Sequence, residues 1–274
     1  MKSPMIDMPF IAETTFTVTA GGEVGPTKLS DLINQYRCPL WVDQIRIAAT
    51  DYSSFFDLFT KTHTRILFGR YPITREFVPT SVLAPRWPGD GHVVMRLHKP
   101  LYVTPQDLPI PTMRSTVEMD IRFSLVGRLA SPLPPKQKIW VPYVTAFEGE
   151  TTAIGETSKQ QSNRNDLANP FKKPFTARFI LGRRSMTSAS VTGGQINNQP
   201  SIDVRMSNHL GRPIVRDPTP FLDLFNVRDQ AWAINSVMQT GDSFIANVDV
   251  DATSATEDQD FEIGVFGYRE ETVP

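Results

Sequence analysis

An all-β chain of two tandem sandwiches is what this sequence predicts, on three observations. Apolar and polar residues alternate strictly in many short segments, the first half of the chain matches the second in order, and a proline-rich connector separates them. With 274 residues, 40% of them hydrophobic, the chain can bury a real core in one large or two medium domains, which rules out disorder for most of it. Lys plus Arg number 28 against 29 Asp plus Glu, for a net charge of -1, so no positive field is available to hold a polyanion. Direct nucleic-acid binding is not expected.

In chain order, Phe16-Val18-Ala20 gives the first strand. Residues 28–36 form a helix with Leu29, Leu32, Ile33 and Tyr36 on one face, the segment 40–48 is a strand, and a short helix follows at 53–60. Strands are expected at 65–68 and at Val93-Met95-Leu97. The clearest one has Val117, Met119, Ile121, Phe123 and Leu125 alternating with Glu118, Asp120, Arg122 and Ser124, which sends every apolar side chain to one face. Runs at 139–147, 175–181, 202–206 and 231–237 continue the series, with Phe244-Ala246-Val248-Val250 and Phe261-Ile263-Val265 at its end. A third helix is expected at 220–226, capped by Thr219 with Pro220 in its first turn.

The halves answer each other at four places. Asn34 to Leu40 matches Asn169 to Phe175 at an offset of 135, with Ile45 facing Ile180. Gly69-Arg70-Tyr71-Pro72-Ile73-Thr74-Arg75-Glu76-Phe77-Val78-Pro79 faces Gly211-Arg212-Pro213-Ile214-Val215-Arg216-Asp217-Pro218-Thr219-Pro220 at an offset of 142. Thr104 to Ile110 resembles Thr240 to Ala246, and Glu118-Met119-Asp120-Ile121 pairs with Glu262-Ile263-Gly264-Val265. Collinear order near half the chain length points to a tandem duplication. Its boundary falls in Ser131-Pro132-Leu133-Pro134-Pro135-Lys136, a stiff connector with few backbone donors, giving domains 1–133 and 134–274. A unit of that size with six to eight strands, long connections and a short helix suits a jelly roll of two packed sheets, so the prediction is two tandem jelly-roll sandwiches with few short helices. The Gly-Arg-Pro stretches are expected to leave a strand and turn a corner. Arg75 beside Glu76 and Arg216 beside Asp217 would brace that corner in preference to binding an anion or a partner.

Site chemistry is thin, and no catalytic, cofactor-binding or metal residue is assigned. No Gly-x-Ser-x-Gly string occurs. His63, His92, His98 and His209 lack a ligand at metal-binding spacing, and Arg96, Lys99 and Pro100 oppose a cation near His92 and His98. Gly21-Gly22-Glu23-Val24-Gly25 has no following Lys-Ser/Thr and is expected to be a hairpin or loop. The acidic cluster from Asp249 to Asp260 approaches a calcium-loop template, but Ser254 replaces the required Gly and Asp260 the bidentate Glu, so a solvated hairpin loop is expected. Carboxylate pairs for glycoside hydrolysis stay open, with 29 acids to draw on. Cys38 cannot form an internal disulfide and is expected to be a buried thiol, which fits assembly in a reducing cytoplasm. No apolar run approaches the roughly 18 residues that span a bilayer, and the opening residues carry no signal-peptide block. Segments 148–168 and 185–200 are expected to be long exposed loops, either recognition surfaces or loops without a partner.

A chain of this length, almost all strand and built as two jelly-roll-like halves carrying these duplicated stretches, resembles the double jelly-roll major capsid proteins of tailless icosahedral viruses, the adenovirus-like lineage. The resemblance covers about Phe16 to Tyr268 and rests on Asn34 to Leu40 with Asn169 to Phe175 and on Gly69 to Pro79 with Gly211 to Pro220. It implies a non-enzymatic capsid subunit without cofactors, a homotrimer whose six barrels make a pseudo-hexagonal capsomer. Its implied partners are neighbouring capsomers, minor capsid proteins and an internal membrane, and its location is the virion, after assembly in the host cytoplasm. The sequence departs from that family in lacking a convincing N-terminal amphipathic helix and in its compact halves. Two other readings stand beside it: a phage decoration, vertex or tail-associated protein, and a carbohydrate-binding sandwich. The last wants coplanar aromatic residues, whereas Trp41, Trp87, Trp140 and Trp232 lie on different segments.

Overall fold

A computed structural model describes residues 8–26, 38–51, 54–69, 71–74, 76–84, 92–105, 107–134, 136–151, 161–162, 167–184, 201–207, 213–220, 224–225, 231–251 and 259–272. The expected helix at 28–36 and the loop 185–200 lie outside them, as do most of the loop 148–168 and residues 252–258 of the acidic cluster.

The first half runs β1 (Pro9–Val18), β2 (Glu23–Val24), β3 (Leu40–Ala49), α1 (Phe55–Thr60), β4 (Thr62–Phe68), β5 (Tyr71–Pro72), β6 (Val78–Pro79), a 3-10 turn (Thr80–Leu83), β7 (His92–Val103), β8 (Pro109–Ser115) and β9 (Met119–Leu129). The second runs β10 (Lys138–Thr151), β11 (Gln161–Ser162), β12 (Phe175–Arg184), β13 (Ser201–Ser207), β14 (Pro213–Pro220), β15 (Ala231–Met238), β16 (Ile245–Asp251) and β17 (Gln259–Thr272). The sheets of the first half are ordered β1-β9-β3-β7 and β2-β8-β4-β5, with β6 also on β4; those of the second are β10-β17-β12-β15 and β11-β16-β13-β14. When β5 and β6 are taken as one interrupted strand, both halves have the same order: first-eighth-third-sixth in one sheet and second-seventh-fourth-fifth in the other. All-β, with two tandem jelly rolls, is therefore the fold class. The four duplicated stretches sit at equivalent stations, leading into β3 and β12, following β4 and β13, following β7 and β15, and opening β9 and lying within β17.

Alternation explains the first core. Val18, Val42, Ile45, Ile47, Val93, Met95, Ile121, Phe123 and Leu125 are buried from one sheet and Ile66, Phe68 and Met113 from the other, with Leu58 and Phe59 of α1 and Val82 and Leu83 of the 3-10 turn completing it. In the second half Phe175, Ala177, Ile180, Phe244, Ile263 and Val265 are buried in the same manner.

Contacts divide the chain into two compact units. The first gathers the described residues up to 84, those from 92 to 144, and 268–272; the second gathers 145–267. The divide expected at 133/134 thus differs from this grouping, which cuts β10 after Val144 and β17 after Gly267. Within the first unit, the Val144 N–H donates to the Ile73 carbonyl at 2.8 Å, which ties residues beyond the connector to the first half.

Several elements depart from expectation. Thr219 and Pro220 end β14, paired with Val204 and Asp203, and so do not cap the helix expected at 220–226; of that helix Leu224 is helical, while 221–223 and 226 lie outside the described residues. The Gly69 stretch does turn, at Gly69 with φ +50°; in its counterpart Pro213–Pro220 is a strand, and Gly211 and Arg212, where the corner is expected, lie outside the described residues. That strand closes one edge of its sheet, where proline's missing N–H costs least. β8 escapes notice in the sequence because of Pro109 and Pro111; on its far side it pairs with β2 only at Met113 and Arg114, so these prolines break no ladder there. Val117 precedes its strand, which begins at Met119, and β1 ends at Val18. The short helix expected at 53–60 is α1.

Candidate functional site

Among the described residues, those singled out in the sequence do not converge. His63 lies on β4 opposite Pro79, His92 opens β7 opposite Ala48, and His98 is an exposed residue of β7; His209 is outside the described residues. Among the described residues no group of three His, Cys, Asp or Glu could hold a metal ion. Gly21 and Gly22 make the turn between β1 and β2, with Gly21 N–H donating to the Ser115 carbonyl at 2.8 Å and Gly22 N–H to Thr19 at 3.1 Å. Asp249 to Asp251 end β16, and Gln259 and Asp260 open β17. Arg75 and the side chain of Arg216 lie outside the described residues, as does Trp87. Cys38 is half-buried and not sealed in a core, because it precedes β3 and the buried positions begin at Leu40. Trp41 packs edge-on against Tyr102 with ring centroids 5.1 Å apart, and Trp140 lies under Lys99 with Nζ 3.2 Å from its centroid.

Where the structure does concentrate polar chemistry is at the end of β17, which the sequence reading passed over. Tyr268, Arg269 and Glu271 are buried, with Arg269 only 1% exposed. Arg269 Nε donates to Glu271 Oε1 at 3.1 Å, and Nη2 donates to the Pro72 carbonyl at 3.1 Å. The guanidinium carbon lies 5.9 Å from the Tyr71 ring centroid and 5.8 Å from that of Tyr143. Burial pushes the Arg269 pKa down, and the adjacent Glu271 carboxylate opposes that shift. The Tyr268 hydroxyl accepts from the backbone N–H of His98 at 2.7 Å and of Lys99 at 3.4 Å. These two amides fall where β7 leaves register with β3, between the pairs Gln44–Arg96 and Val42–Leu101, so Tyr268 binds the backbone at the register break. The Tyr71 hydroxyl donates to the Thr272 carbonyl at 3.3 Å, and Lys138 Nζ is 2.6 Å from Glu270. The available signal was the alternation of Phe266, Tyr268 and the charged 269–271, which looks like a solvated strand end.

A second cluster lies on the sheet β2-β8-β4-β5. Arg114 bridges Glu23 and lies with its guanidinium carbon 3.9 Å from the Phe77 centroid, while Arg65 is 4.8 Å from the same ring. In the second unit Asn169 acts as a bracket. Its buried Nδ2 reaches the carbonyls of Lys173, Met238 and Gln239 at 3.0, 2.9 and 3.0 Å, and its Oδ1 accepts from Phe171 N–H at 3.0 Å. The sequence match of Asn34 with Asn169 carried this residue, without its role.

Neither a family model nor a curated protein matches the sequence. Solved structures do. A chain from the atomic structure of Sulfolobus Turreted Icosahedral Virus is similar over 95% of this chain and 90% of its own, with a TM-score of 0.53 at 9% identity. The major capsid protein P2 from Bacteriophage PM2 aligns over 96% of this chain and 98% of its own, with a TM-score of 0.49 at 10% identity. The Faustovirus major capsid protein aligns over 98% and 78%, with a TM-score of 0.35 at 6% identity. The chain is thus a double jelly roll by its own strand order, and it shares its fold with a chain of the Sulfolobus virus. At such low identity the shared property is the fold.

Proposed function

We propose that this protein is a structural subunit of a virus shell, a major capsid protein without catalytic activity, in which residues 1–133 and 134–274 supply two jelly-roll domains. The observation that carries the proposal is the repetition of one strand order in a single chain, a build shared with a chain of an icosahedral virus particle. A three-fold ring of such chains presents six similar barrels, and heterologous contacts between unlike halves of neighbouring chains then become nearly equivalent around the ring. On this reading the chain assembles in the host cytoplasm into homotrimeric pseudo-hexagonal capsomers of the virion, beside minor capsid proteins and an internal membrane. The charge balance favours a layer not lined by nucleic acid.

Light scattering combined with negative-stain microscopy tests this. A particle of three times the subunit mass with a six-lobed outline is expected. A monomer at tens of micromolar, or a glycan-dependent shift in elution, would favour the decoration-protein or carbohydrate-binding readings.

A further inference from the structure

We infer that the first sandwich is not an independent folding unit: residues 268–272 at the end of β17 act as a latch without which its fold is incomplete. The latch has three points, all inside the first contact unit. The Tyr268 hydroxyl accepts from the amides of His98 and Lys99, Arg269 donates to the Pro72 carbonyl, and the Thr272 carbonyl takes the Tyr71 hydroxyl. The partners are 170 residues apart for His98 and Tyr268 and 197 for Pro72 and Arg269. Contacts of such separation form late, because the chain between them must be ordered or closed as a loop first.

Until β17 arrives, the β5 turn and the irregular stretch of β7 leave backbone donors and acceptors without these partners, and the volume that Arg269 and Tyr268 fill stands open to water. The anchors are also placed where the sheets need them. Tyr71 and Pro72 form β5, which pairs with Phe68 and Leu67 at the end of β4, and His98 and Lys99 lie at the register break of β7. A chain whose β17 is missing or damaged would therefore present an unfinished first half, and incomplete subunits would be kept out of any assembly. The inference concerns folding and does not rest on the shell reading, so its test contains no assembly step.

The test is pulse-labelling hydrogen exchange during refolding of the full-length chain, followed by equilibrium exchange on Tyr268→Phe. Amides of β3 and β9 are expected to gain native protection in the same phase as 268–272 and not before it. In Tyr268→Phe the amides of His98 and Lys99, together with those of β3 and β9, should exchange about tenfold faster, while β12 and β15 stay within twofold of wild type. Native protection of β3 and β9 in a phase that precedes β17 would overturn the inference, as would unchanged exchange of β3 and β9 in the variant. Should Tyr268→Phe fail to fold, the wild-type pulse-labelling order still decides.

Discussion

The fifth strand of the first half is broken into β5 and β6, whereas in the second half β14 runs unbroken for eight residues, yet the two halves agree where their third and last strands cross. There Gly127 faces Val42 across β9 and β3, and a Cβ at Gly127 would lie 1.9 Å from the Trp41 carbonyl oxygen and 3.0 Å from the Val42 Cα. A Cβ at Gly267 would lie 2.2 Å from the Thr176 carbonyl oxygen and 2.8 Å from the Ala177 Cα. Trp41 and Val42 become Thr176 and Ala177 on adding the 135-residue offset of the repeat. The register of the third strand also breaks at equivalent residues, across Asp43 in β3 and across Arg178 in β12. Backbone geometry has been kept while side chains changed freely. The difference teaches that duplication fixes the tight crossing and leaves the strand facing the edge free to vary.

The comparison breaks most easily at the two glycines. Gly127→Ala and Gly267→Ala each drive a methyl group into backbone, which no rotamer change can relieve, so each is expected to cost more than about 4 kcal/mol and to abolish soluble expression. Soluble yield and thermal melting of both variants check this. Tolerance of one and collapse of the other would end the equivalence.

Next in size are Ile45→Ala and Ile180→Ala, at matched positions 1% and 0% exposed. Each is expected to lose about 3 kcal/mol, within the range for a large aliphatic side chain deleted from a packed core. Urea denaturation followed by exchange in each unit reads the two separately. Costs that differ by more than about 2 kcal/mol would mean that the cores are packed to different standards. Asn169→Ala should follow at about 2–3 kcal/mol, because three carbonyls and the Phe171 N–H lose a shared partner at a site 2% exposed. Its loosening should appear in β12 and β15, whose pairing begins at Phe175–Met238 beside it.

Alternation made the strands legible, because one buried face forces period two on any sequence that folds this way: Met119, Ile121 and Phe123 are buried while Asp120 and Arg122 between them are exposed. The collinear matches made the duplication legible. What could not be read were strands that break the pattern for local reasons, namely β8 with its two prolines, β14 with three, and the two-residue β2 and β11. The buried tie of Arg269 was hidden more deeply. A charged residue two positions from another on a strand looks solvated, and only the chain's return to Pro72 and Tyr71, almost two hundred residues earlier, buries it. Such long-range closure leaves no local trace in composition or period.

The smallest effect belongs to the sheet β2-β8-β4-β5 of the first half, where the cluster around Phe77 is a surface feature and not part of the shared backbone plan. Arg114 and Glu23 have side chains 52% and 46% exposed, so water screens their ion pair and its contribution stays below about 1 kcal/mol. Arg114 also lies over the Phe77 ring, a contact that does not need Glu23. Glu23→Gln should therefore lower stability by no more than about 0.5 kcal/mol, and that loss should disappear in 1 M salt, where exposed charges are screened beyond about 3 Å. Arg114→Ala should cost about 1 kcal/mol and keep most of that cost at high salt, since the lost packing on Phe77 is not ionic. Melting of both variants at low and high salt separates the two contributions. Equal and fully salt-sensitive losses would make the ion pair the dominant contact, whereas a Glu23→Gln loss above 1 kcal/mol would place this cluster among the elements that hold the first sandwich together.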